Sequence, residues 1–244
     1  MMKLSILRKA LIASILLVCV WVLPAHAEII DLSVTEVQGM PPTYQKAMEL
    51  RQQGDLIGAI QQLQIAEQQV SNAPVLYQLG KAEFLLGEID RAIQHYKTAL
   101  QYDPKHAATA YELGSIMVST GQVQQGIRYL KQSIANNPTF DAHYDLGVAL
   151  SRVGDPKGAI ASLQNAIDLE PQNADAHLNL GLVLARSQQN DQGSQQLQLA
   201  RHLYQAEIGR LKEPHLGGAS LDAAVLDKVI ADLDSGCGVS CWKR

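Results

Sequence analysis

The feature that most constrains how this chain folds is a repeat of 33 to 34 residues. Ala47, Gly80, Gly114, Gly147 and Gly181 recur at gaps of 33, 34, 33 and 34. Ala59, Ala92, Gly126, Ala159 and Gly193 keep the same gaps, as do Ala66, Ala99, Ser133, Ala166 and Ala200. An aromatic column, Tyr44, Tyr77, Tyr111 and Tyr144, ends in Leu178, and a turn column, Gly54, Gly87, Gly121 and Gly154, ends in Gln188. Pro104, Pro138 and Pro171 close three of the units. Several columns in one register mean one supersecondary unit stacked on its neighbours, because a unit this short cannot bury its apolar face alone.

Each unit reads as two helices. In the stretch from Tyr77 to Phe84, residues 77, 80, 81 and 84 fall on one helical face. Gly87-Glu88-Ile89-Asp90 is a turn into a second helix, whose stripe is Ala92, Tyr96, Ala99 and Leu100. Asp103-Pro104 ends it, since the residue before a proline avoids the α region. The small columns fall where two antiparallel helices cross. A large side chain there would hold the backbones apart, and close packing tolerates little error.

With these columns placed, the chain resembles the tetratricopeptide repeat (TPR) family, whose pattern runs W…L-G…Y…A…F…A…P over 34 residues. The best unit is Leu76-Tyr77-Gln78-Leu79-Gly80 followed by Ala92, Tyr96, Ala99 and Pro104. Five units are placed, at 40–72, 73–106, 107–139, 140–173 and 174–207. The tryptophan position carries Thr43, Leu76, Ala110, His143 and His177. The first unit has Lys46 for its leucine and no closing proline, and the fifth lacks both turn glycine and proline. End units of a stacked array are expected to be degenerate. The resemblance implies an all-α fold, a right-handed α-solenoid of about five helix-turn-helix units with a C-terminal capping helix.

It also implies that the first helix of each unit lines a concave face that takes a protein or peptide partner. The tyrosine column and the residues four and seven later share one stripe. The candidate partner-binding residues are therefore Tyr44, Met48 and Arg51, then Tyr77, Lys81 and Phe84, then Tyr111, Ser115 and Val118. Tyr144, Val148, Ser151, Leu178 and Leu182 complete the stripe. It is aromatic, aliphatic and small, which suits a peptide with apolar anchors, although tyrosine is also common at that repeat position as a structural ladder. TPR domains that clamp acidic chaperone tails need Lys and Asn where this chain has Tyr and mixed residues.

The ends are read separately. Lys3, Arg8 and Lys9 precede an uncharged stretch from Ala10 to Leu23, then Pro24 and Ala25-His26-Ala27. That is the pattern of a cleavable signal peptide over 1–27, shorter than the roughly 20 apolar residues of a spanning helix. Cys19 follows Val18, not the small residue of a lipoprotein signal, and is read as ordinary filler. Residues 28–39 are expected to be an extended or disordered arm. A linker and C-terminal helix are expected over 208–236, with Ser220 as N-cap and Leu221, Val225, Val229 and Leu233 on one face. Its expected place is the open edge of the array, with docking on a partner as the rival reading. The tail 237–244 holds Cys237 and Cys241. A local disulfide, a redox or intermolecular thiol pair and a two-thiolate metal site stay open there. So small a loop stabilises by about 2 kcal/mol at most.

Composition excludes several functions. A chain 47% hydrophobic and 18% charged is not disordered. Its formal charge of −4 falls to −7 on loss of the signal segment, which carries three cations and no acid. Neither nucleic acid nor a stable membrane insertion after cleavage is expected. No hydrolase, zinc-protease or phosphate-loop motif occurs. His143 and His177, 34 residues apart, are expected to pack between helices, and Asp168 and Glu170, at i and i+2, to point apart. The expected function is a non-enzymatic exported scaffold without cofactor, binding a protein or peptide in its groove during assembly or stabilisation of an envelope complex. The alternatives are a thiol-disulfide or metal-handling assembly factor using Cys237 and Cys241, and a homo-oligomer built on the Leu221–Leu233 face. The expected location is the periplasm, or the thylakoid lumen in a photosynthetic cell.

Overall fold

The computed structural model describes residues 39–211. The expected signal segment, residues 28–38 of the arm, everything beyond Leu211 in the expected C-terminal helix, and the Cys237/Cys241 tail lie outside the described residues. The described residues form two compact units, one ending at Leu86 and the other beginning at Gly87.

The first unit holds α1 (Pro42–Gln52), α2 (Leu56–Gln69) and α3 (Ala73–Leu86). Helices α1 and α2 pack as a hairpin, and α3 packs on α2. Asp55 caps α2 by accepting from the Gly58 N–H at 2.8 Å, and Asn72 opens α3 by accepting from the Val75 N–H at 3.0 Å. Ala47, Ala59, Leu63, Ala66, Leu76 and Leu79 are fully buried between these helices.

The second unit holds α4 (Ile89–Tyr102), α5 (Ala107–Ser119), α6 (Val123–Asn136), α7 (Phe140–Arg152), α8 (Pro156–Leu169), α9 (Ala174–Arg186) and α10 (Asn190–Leu211). Three hairpins, α5/α6, α7/α8 and α9/α10, succeed one another. Each second helix packs on the next first helix, and α4 packs on α5. One core runs through them, with Leu130, Leu146, Leu163, Leu180 and Leu184 among its members. The residues before Pro104, Pro138 and Pro171 are extended, with φ of −134°, −152° and −131° at Asp103, Asn137 and Glu170. The proline ring forces that exit from the helix.

The small columns meet where the hairpin helices cross. A Cβ on Gly126 would lie 2.7 Å from the Gly114 carbonyl oxygen and 3.0 Å from the Val118 amide nitrogen. A Cβ on Gly193 would lie 3.0 Å from the Gly181 carbonyl oxygen and 3.1 Å from the Ala185 nitrogen. Backbone therefore touches backbone in α5/α6 and α9/α10, which only glycine permits. The turn inside each hairpin needs a left-handed residue. Gly154 supplies it between α7 and α8 at φ 78°, but between α9 and α10 the same position is Gln188 at φ 63°. Among the described residues no helix is long and apolar enough to cross a membrane.

Candidate functional site

In the first unit the stripe lies on α1 and α3. Tyr44 is only 3% exposed and belongs to the core, so a partner cannot touch it. This corrects its place among the candidate contacts: on α1 its aromatic ring turns inward, beside the buried Ala47. Met48 and Arg51 are half-buried and Phe84 is exposed. The Arg51 guanidinium donates to the Gln78 side-chain oxygen, joining α1 to α3. The Lys81 ammonium lies 5.7 Å from the centroid of the Tyr77 ring, over its negative face.

In the second unit the stripe lies on α5, α7 and α9. Tyr111, Ser115, Tyr144, Val148, Ser151, Leu178 and Leu182 are half-buried. Val118 is 9% exposed and packs in the core, with its Cγ2 2.6 Å from where a Cβ on Gly126 would be. It too is corrected to a structural residue, because the close crossing of α5 and α6 draws it inward. Phe140 and Tyr144 stack, ring centroids 5.6 Å apart and planes 16° from parallel. Leu178 and Leu182 pack against Ala185 and Leu197 beside Tyr204.

A column that the sequence reading passed over completes the face. The residue after each tyrosine position is Gln45, Gln78, Glu112, Asp145 and Asn179, polar in every unit. Asp145 accepts hydrogen bonds from Tyr111 and Ser115 on the preceding first helix. Asn179 donates to the Tyr144 hydroxyl at 2.9 Å, and Tyr204 donates to Asp175. Burial is the main cause that pushes the Asp145 carboxyl above the usual carboxylate range, against those two hydrogen bonds and Arg152. Burial, then the charges of Asp145 and Asp141, hold the Tyr111 phenol protonated well beyond its ordinary range. Tyr144 is raised in the same way, by burial and then by Asp175 and Asp145. The signal was in the sequence as a further column in register. It was missed because one step from the tyrosine, about 100° round the helix, reads as solvent-facing.

The other chemistry-bearing residues are not assembled. His177 is 4% exposed, with Nδ1 2.7 Å from the Gln196 side-chain oxygen and Nε2 3.1 Å from the Pro171 carbonyl. His143 is half-buried, and burial lowers its pKa. Asp168 accepts from Gln164 and Glu170 from Asn173, both exposed, so they do not act as a pair. Among the described residues no three His, Cys, Asp or Glu side chains gather as a metal site. The arrangement offers hydrogen-bond acceptors, aromatic faces and apolar patches along successive first helices.

Known proteins match this architecture. The tetratricopeptide repeat pattern matches residues 44–107 and 83–150, and the TPR repeat pattern matches residues 154–188. No curated protein matches the sequence as a relative. Among solved structures, a crystal structure of MamA is 25% identical with a TM-score of 0.63, spanning 67% of this chain and 96% of its own. MamA from Desulfovibrio magneticus RS-1, residues 41 to the end, is 22% identical with a TM-score of 0.63, over 69% of this chain and 98% of that one. YrrB, described as a TPR protein with an unusual peptide-binding site, is 20% identical with a TM-score of 0.62, over 71% and 91%. The fold is an all-α TPR solenoid. Repeat columns, helix hairpins and pattern matches coincide over residues 44–188, and the chain belongs to the tetratricopeptide repeat family.

Proposed function

We propose that this chain is a non-enzymatic, exported TPR scaffold that binds a protein or peptide segment on the face of its first helices. The array is read as units 40–72, 73–106, 107–139, 140–173 and 174–207. The observation that carries the proposal is the half-buried face that Tyr111, Tyr144, Val148 and Leu182 build in the second unit. Core side chains in a repeat array are normally shut away from water; these keep part of their surface open along successive hairpins. Half-open aromatic and aliphatic groups beside hydrogen-bond acceptors are what an extended peptide with apolar anchors requires. A solved TPR protein of similar fold, YrrB, is described as having a peptide-binding site, which supports the same use here.

Export rests on the basic start, apolar stretch and A-x-A site within residues 1–27 and on the acidic remainder. The periplasm follows as the compartment, or the thylakoid lumen in a photosynthetic cell, with assembly or stabilisation of an envelope complex as the task. The test is crosslinking of the tagged protein in its native envelope, comparing wild type with Tyr77→Ala/Tyr111→Ala. One dominant partner, lost in the folded variant, is the expected result. A partner kept by that variant but lost on removal of residues 213–244 would transfer the function to the C-terminal segment.

A further inference from the structure

We propose that the first-helix face of α5, α7 and α9 takes an extended peptide segment that presents lysine or arginine side chains beside apolar ones. This rests on the reading that the face binds a peptide, and adds the chemistry of that peptide.

The charges that act on the two tyrosine rings of the face are all negative. Glu112, Asp141 and Asp145 act on the Tyr111 phenol, and Asp175 and Asp145 on that of Tyr144. Helix α5 carries no lysine or arginine, and the cations of α7 and α9, Arg152 and Arg186, stand at the last residue of each helix. Asp141 and Asp175 lie in first turns, where the helix dipole favours a carboxylate. Glu112 and Asp145 lie in mid-helix and have no such reason to be acidic. Burial and the repulsion of Asp141 disfavour the Asp145 carboxylate, only partly offset by the hydrogen bonds from Ser115 and Tyr111 and by Arg152. A cation laid across the face relieves both burdens.

The chain itself displays the contact. In the first unit Lys81, four residues after Tyr77, places its ammonium over that tyrosine ring. At the equivalent positions of α5, α7 and α9 stand Ser115, Val148 and Leu182. The ring-bound ammonium supplied internally in one repeat has no counterpart at that position in the next three, and in the first two of these carboxylates act on the tyrosine. Val148, Leu178 and Leu182, half-buried along α7 and α9, offer the apolar seats between. Charge complementarity of this kind steers encounter and selects partners more than it adds affinity.

The test is fluorescence anisotropy with short labelled peptides of alternating Lys and Leu, Glu and Leu, and Ser and Leu, with circular dichroism on every variant. The Lys–Leu peptide binds best. Glu112→Gln/Asp141→Asn/Asp145→Asn weakens it about tenfold, the sum expected of several weak charge pairs open to solvent on one side. Asp168→Asn/Glu170→Gln/Asp191→Asn, which removes the same charge from α8, the residue just after it and α10, leaves it unchanged. Equal weakening by both sets, or equal binding of the Glu–Leu peptide, overturns the proposal. If the Ser–Leu peptide binds as well as Lys–Leu and both are lost in Tyr111→Ala/Tyr144→Ala, the groove reading stands and the basic partner falls. If no peptide binds, or binding ignores the tyrosines, both fall. Tight Lys–Leu binding only after removal of residues 237–244 would make Lys243-Arg244 of this chain the occupant and overturn an external partner.

Discussion

Asn179 and Tyr144, thirty-five residues apart, are joined by a 2.9 Å hydrogen bond from the amide of α9 to the phenol of α7. The same amide also donates to the Asp175 carbonyl at 2.9 Å, which fixes its orientation. The pairing is one case of a rule. The residue after the tyrosine position reaches back to the stripe of the preceding repeat: Gln78 to Arg51, Asp145 to Tyr111 and Ser115, Asn179 to Tyr144. The face read as a partner surface is also the seam between repeats.

Tyr144→Phe and Asn179→Ala should therefore be energetically coupled. Each is expected to cost about 0.5–1.5 kcal/mol, with a coupling of about 0.5 kcal/mol or more in a double-mutant cycle. Urea unfolding of the four proteins measures it. Strict additivity would mean that the hydrogen bond contributes nothing to the seam.

Gln188→Gly should stabilise the protein. A non-glycine residue at φ 63° carries a left-handed penalty of about 1 kcal/mol, partly offset by the greater freedom of glycine in the unfolded chain. A gain of about 0.5 kcal/mol is expected in the urea midpoint at constant slope. The reverse change in the neighbouring hairpin, Gly154→Gln, should lose a similar amount.

Gly126→Ala should destabilise by about 1–3 kcal/mol despite the better helix propensity of alanine. The added methyl meets the Gly114 carbonyl and the Val118 backbone, neither of which can rotate away. Gly58→Ala is the contrast, since the atoms it meets belong to the movable Asp55 side chain. Thermal unfolding of the two variants should separate them clearly.

The pH dependence follows from Asp145. Its carboxyl in the folded chain holds a proton to higher pH than the ordinary value of 3.8. The folded state thus binds more protons than the unfolded one in the window just above 3.8, and stability falls as pH rises through it. Asp145→Asn removes that slope while keeping an acceptor for Tyr111 and Ser115. The variant should equal or exceed wild type at neutral pH and lose its advantage on acidification below the ordinary carboxylate range. A variant less stable than wild type at neutral pH would mean that the ionised form is favoured in place.

The fold was legible because its signal is long-range and redundant. Gly114 and Gly126 each look like poor helix residues alone; in columns at a fixed period they mark crossings, and the helices cross there. The prolines at 104, 138 and 171 marked helix ends through a local steric rule. The face was legible only in part. Tyr44 and Val118 share the periodicity of their columns, but whether a side chain stays half-open depends on what packs beside it. Asp145 was hidden for the opposite reason: its position on α7 points away from the stripe of its own helix, yet α5 lies alongside and receives it. Such pairings join the first helices of successive repeats, and no single-helix pattern contains them.

Backbone contact at Gly114 and Gly126, and again at Gly181 and Gly193, has a mechanical consequence. Two helices that meet without intervening side chains have no rotamers to rearrange, so each of these hairpins behaves as a stiff tile. Compliance is left to the joints between tiles, where longer side chains such as Tyr144 and Asn179 span the gap. A partner that pulls on the first-helix face would flex the array at its tyrosines and leave its glycines still.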